Sequence, residues 1–571
     1  MTKMKVMGVT LLCVGALCLC SLPMFAAAAN NPAPQMVAQA PIAFGAGHVT
    51  EALSAPVFGL HEANPARRIA KPAVGAATDQ VIQRSEPYSA EFNQVYHVLG
   101  VGNGFPGYSV PDAPPDTTMA VGATEVVQWV NVSYADFNKA TGAIIPLNGL
   151  NSTLGNTVWH NLIPGTLCAN HNAGDPIVKY DRYAQRWILA QNVFTSPYAV
   201  CVAISQTSTF SDNLWYAYQF PVVNSGFPDY PKWGVWAASG DSNGYYQAWN
   251  NFGPGGSGFV GPVICGYNRI KMLAGDPSAE QICFQLSNAP NFQDSLLPAD
   301  ASSPTPPPGG EDEFFIGSLG DVDNSHFSLY SMHINSFPNH DATMTGNGDT
   351  QLLAVATFTP SCNGNYGGAC VPQSGTSDKL DSLGDRLMYP FAYWEDRPPA
   401  NARATPPLPA PEQHWYFSHD VTGSSAQNAV RWYELIANLK SVPVTSLTVF
   451  QQGTYEGSPA DAAWRWMPSI YTDNVHNILV GYSESSSVIH PYIDLAGREY
   501  NDPSGTLSAE VIDVLGTGSQ PDTSNRWGDY STMSIDPSDN CTLFYTTEYY
   551  MVTQSFDWST DISAWKFPNC H

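Results

Sequence analysis

Basic residues are scarce in this chain. Only 23 lysines and arginines stand against 49 aspartates and glutamates, which gives a formal net charge of −26. A chain of this charge repels phosphate backbones and anionic lipid surfaces, because they carry charge of the same sign. The composition therefore argues against a nucleic-acid-binding protein, and we expect no nucleic-acid partner.

Several familiar motifs are also missing. The chain contains no H-E-x-x-H, no Walker A sequence and no C-x-x-C pair. Their absence removes the usual sequence signs of a zinc protease, of a P-loop nucleotide-binding protein and of a cysteine-ligated zinc site. None of these motifs therefore identifies a reaction, and the hypotheses on activity depend on the predicted architecture.

Long apolar runs are confined to the N-terminus. Lys3 and Lys5 precede an apolar run at residues 6–22, and small residues follow at 26–29. This is the composition of a secretory signal peptide, which we assign to residues 1–29. No later stretch is long and apolar enough to cross a bilayer. We expect a secreted monomer, extracellular or periplasmic, without a membrane span.

Eight cysteines remain after the predicted cleavage. An even number of cysteines in an exported chain indicates disulfides. A repeated architecture favours pairs of neighbours, each closing a loop within or beside one unit. The predicted pairs are Cys168–Cys201, Cys265–Cys283, Cys362–Cys370 and Cys541–Cys570.

A hairpin pattern recurs along the mature chain. Three copies are GDPIVKYDRYAQRWILAQ from Gly174, RWMPSIYTDNVHNILVGYS from Arg465 and RWGDYSTMSIDPSDNCTLFYTTEYY from Arg526. Each has a short apolar strand, a polar turn opened by an aspartate, and a second strand rich in apolar and aromatic residues. Such repetition is typical of a β-propeller, because one four-stranded blade cannot bury both of its faces alone.

We therefore predict an all-β, disulfide-bonded β-propeller of about seven four-stranded blades with long loops, with six or eight blades as alternatives. The propeller is assigned to residues 111–571. Residues 30–110, rich in alanine and proline at their start, are predicted to be an N-terminal arm, a linker or a pro-segment. The segment 425–439 is the one plausible helix, although the repeat also needs a strand there.

Two of the repeat segments carry a family resemblance. GDPIVKYDRYAQRW and RWGDYSTMSIDPSDNCTLFYTTEYY resemble a group of large, uncharacterised secreted bacterial proteins with propeller folds. The resemblance covers roughly residues 116–570. It implies the fold and export, and it carries over no catalytic residue. The chain is also loosely similar to sialidase-like propellers, although their S-x-D-x-G-x-T-W box is absent.

Aspartates open most of the predicted blades. Because the first strand of a propeller blade lines the central channel, side chains at these openings are expected to converge at one mouth. Converging carboxylates act as an acid/base pair in glycoside hydrolysis, bind Ca²⁺ through oxygen, or cap turns. The predicted catalytic set is Asp175, Asp229, Asp385 and Asp529, with His171 as a further acid/base candidate.

Aromatic and basic residues accompany these openings. Trp527 and Tyr530 are predicted to form a stacking surface for sugar rings, while Arg386 and Arg526 either hold an acidic sugar or pair locally with aspartates. The preferred hypothesis is a carbohydrate-active enzyme, a glycoside hydrolase or polysaccharide lyase, whose partner is a polysaccharide or glycoconjugate. The alternatives are a non-enzymatic propeller that binds glycan or protein, and an atypical secreted peptidase. Calcium is the one candidate cofactor.

Overall fold

Antiparallel strands make up most of the regular structure. The computed structural model describes residues 34–53, 69, 76–83, 85–108, 114–287, 293–318, 324–345, 352–365, 367–396, 412–438, 443–457 and 462–571. The predicted signal peptide lies outside the described residues. Pro34–His571 forms one compact unit.

The N-terminal segment contributes single strands to sheets formed by later parts of the chain. Its strands are β1 (Gln35–Gln39), β2 (Ala43–His48), β3 (Ile82–Gln83) and β4 (Asn93–Leu99). The next sheet consists of β5 (Thr118–Val121), β6 (Glu125–Val130), β7 (Ser133–Asn138), β8 (Ile144–Ile145) and β9 (Thr153–Leu154).

Two further sheets follow in the first half of the chain. One contains β10 (Ile177–Asp181), β11 (Arg186–Val193), β12 (Ala199–Ser205) and β13 (Leu214–Pro221), with β2 at its edge. The other contains β14 (Phe227–Trp236), β15 (Gly244–Phe252), β16 (Phe259–Asn268) and β17 (Gln281–Gln285), with β1 at its edge.

The next two sheets are joined. The first has β18 (Asp294–Ala301), β19 (Glu313–Ser318), β20 (His326–Ser336), β21 (Asp341–Thr345) and β22 (Leu352–Ala354). Short strands β23 (Thr359–Pro360), β24 (Ala369–Val371) and β25 (Leu380–Asp381) follow. The second has β26 (Met388–Asp396), β27 (Glu412–Thr422), β28 (Asn428–Asn438) and β29 (Thr448–Tyr455), with β3 at its edge. Parallel pairing of β18 with β26 joins them.

Two sheets complete the chain. One contains β30 (Trp464–Thr472), β31 (Ile478–Ser486), β32 (Ile489–Arg498) and β33 (Val511–Val514). The other contains β34 (Thr532–Ile535), β35 (Thr542–Tyr549) and β36 (Ser559–Lys566), with β4 as its fourth strand. Strand β4 precedes residue 111, so this sheet combines strands near the C-terminus with a strand from the predicted N-terminal arm.

Helices in the described residues are short. They are α1 (Thr157–Leu162), α2 (Leu167–Asn170), α3 (Arg269–Ala274) and α4 (Ser361–Gly364), with 3₁₀ turns at Phe210–Asp212, Val223–Ser225 and Pro254–Gly256. Within the segment 425–439, residues Asn428–Asn438 form strand β28 rather than a helix. None of these helices has the length and apolar composition needed to cross a lipid bilayer.

Most strands are buried on both faces. In β6, β12 and β31 every residue is buried, and twelve tryptophans are almost completely enclosed. This burial follows from sheets packing face to face, which covers the β-branched and aromatic side chains that these strands carry. The first strand of each sheet also contacts the first strand of the next, as β5 does with β10 and β14 with β18.

Four disulfides stabilise the fold. They join the neighbour pairs predicted from the sequence: Cys168–Cys201, Cys265–Cys283, Cys362–Cys370 and Cys541–Cys570. The second pair bridges β16 and β17, where Cys265 and Cys283 lie directly opposite each other. Each bond therefore closes a short loop within one region of the chain, as a repeated architecture requires.

Gly234 lies where two first strands approach closely. A Cβ atom on Gly234 in β14 would lie 2.1 Å from the backbone oxygen of Ala299 in β18. We expect Gly234→Ala to lower the free energy of unfolding by about 1–3 kcal/mol, because overpacking forces the two strands apart. Urea unfolding followed by tryptophan fluorescence measures this. Gly258→Ala is the control, since its Cβ meets no atom within 4 Å; equal stability of both variants would contradict the prediction.

Candidate active site

Three aspartates from three different sheets converge at the starts of first strands. Asp116 precedes β5, Asp175 precedes β10 and Asp529 precedes β34, and β5 contacts both other strands. One carboxylate oxygen of each residue lies within 4.8 Å of the others. We call these three residues the Asp cluster.

Backbone geometry holds the carboxylates in place. Asp116 and Asp175 adopt left-handed backbone conformations with φ of 46° and 47°, which aspartate tolerates better than most residues. The backbone N–H of Tyr230 donates to Asp175 Oδ2 at 3.2 Å, and the N–H of Asp529 donates to Asp116 Oδ1 at 2.8 Å. Each of these two acids is thus fixed by the opening of another sheet.

Two cations lie beside the Asp cluster. Arg526 Nη2 is 2.6 Å from Asp529 Oδ1. The fully buried Lys232 places its Nζ 3.4 Å from the ring centroid of Tyr230 and 3.9 Å from that of Tyr530. Attraction between an ammonium group and aromatic faces supports the lysine where water is excluded. Their positive charges offset part of the charge of the three carboxylates.

Burial raises the pKa of two of the aspartates and lowers the pKa of Lys232, so these values approach each other. Burial, followed by repulsion from Asp529, raises the pKa of Asp175 to about 6. The same two causes, with Asp175 in addition, raise the pKa of Asp116 well above its ordinary value. Burial lowers the pKa of Lys232 to about 7. Asp175 of the Asp cluster and the neighbouring Lys232 thus have pKa values close to neutral pH, a perturbation that is common at functional sites.

The three aspartates differ in access to solvent. Asp175 is partly exposed and the Asp529 side chain is 13% exposed, whereas Asp116 is buried. Asp116 Oδ2 has no hydrogen-bond partner among the described residues. Asp175 and Asp529 are thus the two more exposed carboxylates of the Asp cluster, and Asp116 is the buried one.

Other predicted catalytic residues lie outside the Asp cluster. Asp385 binds the guanidinium of Arg386 through both carboxylate oxygens, at 2.8 and 3.1 Å, and that guanidinium lies 4.6 Å from the Tyr230 ring centroid. Asp229 pairs in register with Asn250 and is not part of the group. His171 ends helix α2, and in the described residues no hydrogen bond joins it to the Asp cluster.

The two residues of the predicted stacking surface are buried rather than exposed. Trp527 and Tyr530 are only 2% and 1% exposed. The ring of Trp527 packs against Trp466 and Tyr550, and the Tyr530 hydroxyl donates to the backbone oxygen of Pro176. Neighbouring sheets cover these rings, so they offer no face to a sugar. Arg526 pairs with Asp529, and Arg386 pairs with Asp385. Local pairing with an aspartate was one of the two roles predicted for these arginines.

Sequence reasoning missed Lys232, the buried cation of the site. It lies in FPDYPKWGVW, an otherwise mostly apolar strand. A lysine in a buried strand requires anionic or aromatic partners, because an isolated buried charge is costly. That signal was available in the sequence, although it does not identify which carboxylates lie nearby.

A serine, a histidine and an aspartate also meet near the turn between β14 and β15. The segment GDSNG at 240–244 fits the G-x-S-x-G pattern. His333 Nδ1 lies 2.8 Å from Asp312 Oδ1 and 3.3 Å from Ser242 Oγ. A catalytic triad uses two different ring nitrogens for these contacts. This arrangement is therefore not a triad, and it does not favour a peptidase.

Comparison with known proteins gives little guidance. No protein-family model and no curated protein matches the chain. Similar solved structures include a phage phi92 endosialidase (5% identity, TM-score 0.34, 84% of this chain and 70% of the other). Another is a protein of unknown function from Dyadobacter fermentans, with 7% identity and a TM-score of 0.30 over 84% of this chain and 99% of the other. A third is the catalytic domain of a GH62 α-L-arabinofuranosidase from Coprinopsis cinerea, with 10% identity and a TM-score of 0.25 over 70% of this chain and 92% of the other. At these scores the similarity supports no conclusion on activity.

Proposed function

We propose that this protein is a secreted β-propeller of seven blades that cleaves glycosidic bonds. The proposal for the fold rests on the first strands β5, β10, β14, β18, β26, β30 and β34, each of which contacts the next, while β34 contacts β5. This series closes on itself, as the inner strands of a propeller do. Four disulfides suit an oxidising compartment outside the cytoplasm.

The single observation that carries the proposed activity is the close approach of Asp175 and Asp529. One carboxylate oxygen of Asp175 lies within 4.8 Å of one carboxylate oxygen of Asp529. Retaining glycosidases place two carboxyl groups roughly 5–5.5 Å apart, whereas inverting enzymes need about 6.5–9.5 Å to admit a water molecule. The separation therefore favours a retaining glycoside hydrolase over an inverting one.

The environments of the two acids suggest their roles. With its pKa raised to about 6, Asp175 keeps part of its population protonated near neutral pH and acts as the general acid toward the glycosidic oxygen. Asp529 attacks the anomeric carbon and forms the glycosyl-enzyme. The ionised Asp175 then takes a proton from the water that breaks this bond. Asp116 is a positioning residue, because it accepts the backbone N–H of Asp529.

A bound Ca²⁺ is the less favoured use of the same carboxylates. Calcium takes oxygen ligands and is attracted by uncompensated negative charge. Here Arg526 contacts Asp529, and Lys232 is a second cation whose charge acts on Asp175. Because these two cations already offset the acids, we propose proton transfer rather than calcium binding as their function.

The test is product analysis on a panel of polysaccharides and glycoconjugates. We expect new reducing ends, and proton NMR of the first products should show the anomeric configuration of the substrate. Asp536→Asn, at the other end of strand β34, is the control that should keep full activity. Inverted products would contradict the assigned carboxylate pair. Unsaturated products would indicate a lyase instead, and saturable binding without cleavage would indicate a glycan-binding propeller.

A further inference from the structure

A second cluster of ionisable side chains lies between two neighbouring sheets. Asp396 ends strand β26, His414 lies on β27 and His476 lies in the turn between β30 and β31. One ligand-type atom of each of these residues lies within 4.8 Å of the others. We call this group the His–Asp cluster; it shares no residue with the Asp cluster.

We propose that the His–Asp cluster binds a divalent first-row transition metal, with zinc as the matching ion. Two imidazoles and one carboxylate form the donor set of several zinc sites, in which a water molecule or substrate completes the coordination. Hard ions such as Ca²⁺ prefer oxygen ligands alone, so two histidines select against them. The proposal is independent of the proposed glycosidase activity.

The orientation of His414 is the strongest support for a metal site. Its Nδ1 lies 2.8 Å from Glu434 Oε1, and Glu434 is in turn held by the Gln451 amide and the Tyr416 hydroxyl. A carboxylate that holds the second ring nitrogen of a metal-binding histidine is the usual supporting contact in zinc sites. It leaves Nε2 of this buried ring without a hydrogen bond among the described residues.

A fourth potential donor, a carboxylate oxygen, faces the same nitrogen of His414. Glu412 Oε2 lies 3.9 Å from His414 Nε2, and Glu412 lies opposite Asp396 in the register of β26 and β27. The side chains of Asp396 and Glu412 are 47% and 41% exposed, whereas both histidines are almost fully buried. The cluster thus has an inner nitrogen side and an outer carboxylate side, which gives an ion a path from solvent.

Metal binding has to replace existing contacts of the His476 ring. Its Nε2 lies 2.5 Å from Asp396 Oδ2, and its Nδ1 lies 3.1 Å from the Tyr416 hydroxyl. A metal ion bound here replaces the direct contact between the imidazole and the carboxylate, and the two donor atoms turn toward the ion. Because metal ligands must be deprotonated, any proton shared between these groups is released on binding.

Metal titration of the full exported chain tests the proposal. After treatment with a chelator, the protein is titrated with Zn²⁺ in competition with a chromophoric chelator. We expect His414→Ala and Asp396→Asn each to lose one equivalent of tight Zn²⁺ binding, and Glu434→Gln to weaken Kd by about 10–100-fold as a positioning residue. Excess Ca²⁺ should not compete. The absorption spectrum of bound Co²⁺ gives a second readout of nitrogen coordination.

His490→Ala is the matched control, because this histidine contacts the Ser519 hydroxyl and lies outside the cluster. It should bind as much Zn²⁺ as the wild type. Asp396→Asn changes a partly exposed side chain, so it keeps the test valid if the histidine variant fails to fold. Equal stoichiometry and Kd in the wild type, Asp396→Asn and the control would overturn the proposal, as would a wild type that binds no Zn²⁺.

Discussion

Replacing Asp175 by asparagine is expected to slow the cleavage of natural glycosides by about 10²–10⁴-fold in kcat, the usual contribution of a general acid. The amide has the shape of the carboxyl group, but it does not protonate the departing glycosidic oxygen. The pH profile should change as well. Because the pKa of Asp175 is raised to about 6, the acid form is lost as pH rises through that value, and the wild-type rate should fall there. The variant should lack this alkaline limb.

Substrates with different leaving groups separate the two proposed roles. A strongly acidic phenol departs from an aryl glycoside without protonation, so the burst of phenol that reports glycosylation should be almost as fast in Asp175→Asn as in the wild type. Its steady-state turnover should stay low, because hydrolysis of the glycosyl-enzyme still needs Asp175 as the base. Asp529→Asn lacks the nucleophile and should lose activity toward both kinds of substrate. If both variants respond alike to the leaving group, or if either retains wild-type turnover on natural glycosides, the assigned roles are wrong.

The sequence predicts the strands well and their exact starts poorly. Alternation and aromatic content identify strand β14, but a bulge between Asp229 and Lys232 shifts its register. As a result Tyr230, with φ of 53°, occupies the left-handed position that Asp116 and Asp175 occupy in their sheets. A bulge adds one residue without changing the composition of a strand, so the pattern alone placed Asp229 at the site.

Long-range packing accounts for the other differences. Trp527 stands beside an aspartate in sequence, yet Trp466 from the preceding sheet covers its ring. The segment 425–439 has helical residue types, but its Arg431 is enclosed between strands and donates to Asp79 and Thr454. Tertiary contacts of this kind override local propensity. The His–Asp cluster was hidden for the same reason, since His414 and His476 belong to different sheets.

Replacing Arg465 by alanine is expected to lower the free energy of unfolding by about 3–5 kcal/mol, because the change leaves buried acids without their cation. Arg465 is fully buried at the start of β30. Its guanidinium binds Glu510 at 2.5 and 2.8 Å and lies 3.1 Å from Glu484. Oxygens of these two acids and of Asp494 lie within 4.8 Å of one another. Urea unfolding at neutral pH measures the loss.

The loss of stability should depend on pH in a defined direction. Burial, followed by repulsion from Glu510, raises the pKa of Glu484 and of Asp494 well above their ordinary values. An acid whose pKa is higher in the folded protein binds more protons when folded. Stability is therefore full below the unfolded pKa and falls as pH rises through the folded one. Without Arg465 both values rise further, so the variant should be destabilised more at about pH 8 than at about pH 5.

Two further variants decide whether the missing charge is the cause. Arg186→Ala removes a guanidinium that donates to the carbonyls of Ala184 and Gln185 in a turn, and it should change stability by less than about 0.5 kcal/mol. Arg465→Met combined with Glu484→Gln and Glu510→Gln should recover most of the loss, because neutral groups carry no penalty for an unpaired buried charge. A pH-independent loss in Arg465→Ala that the triple variant does not recover would mean that packing of the arginine side chain, rather than its charge, stabilises this sheet.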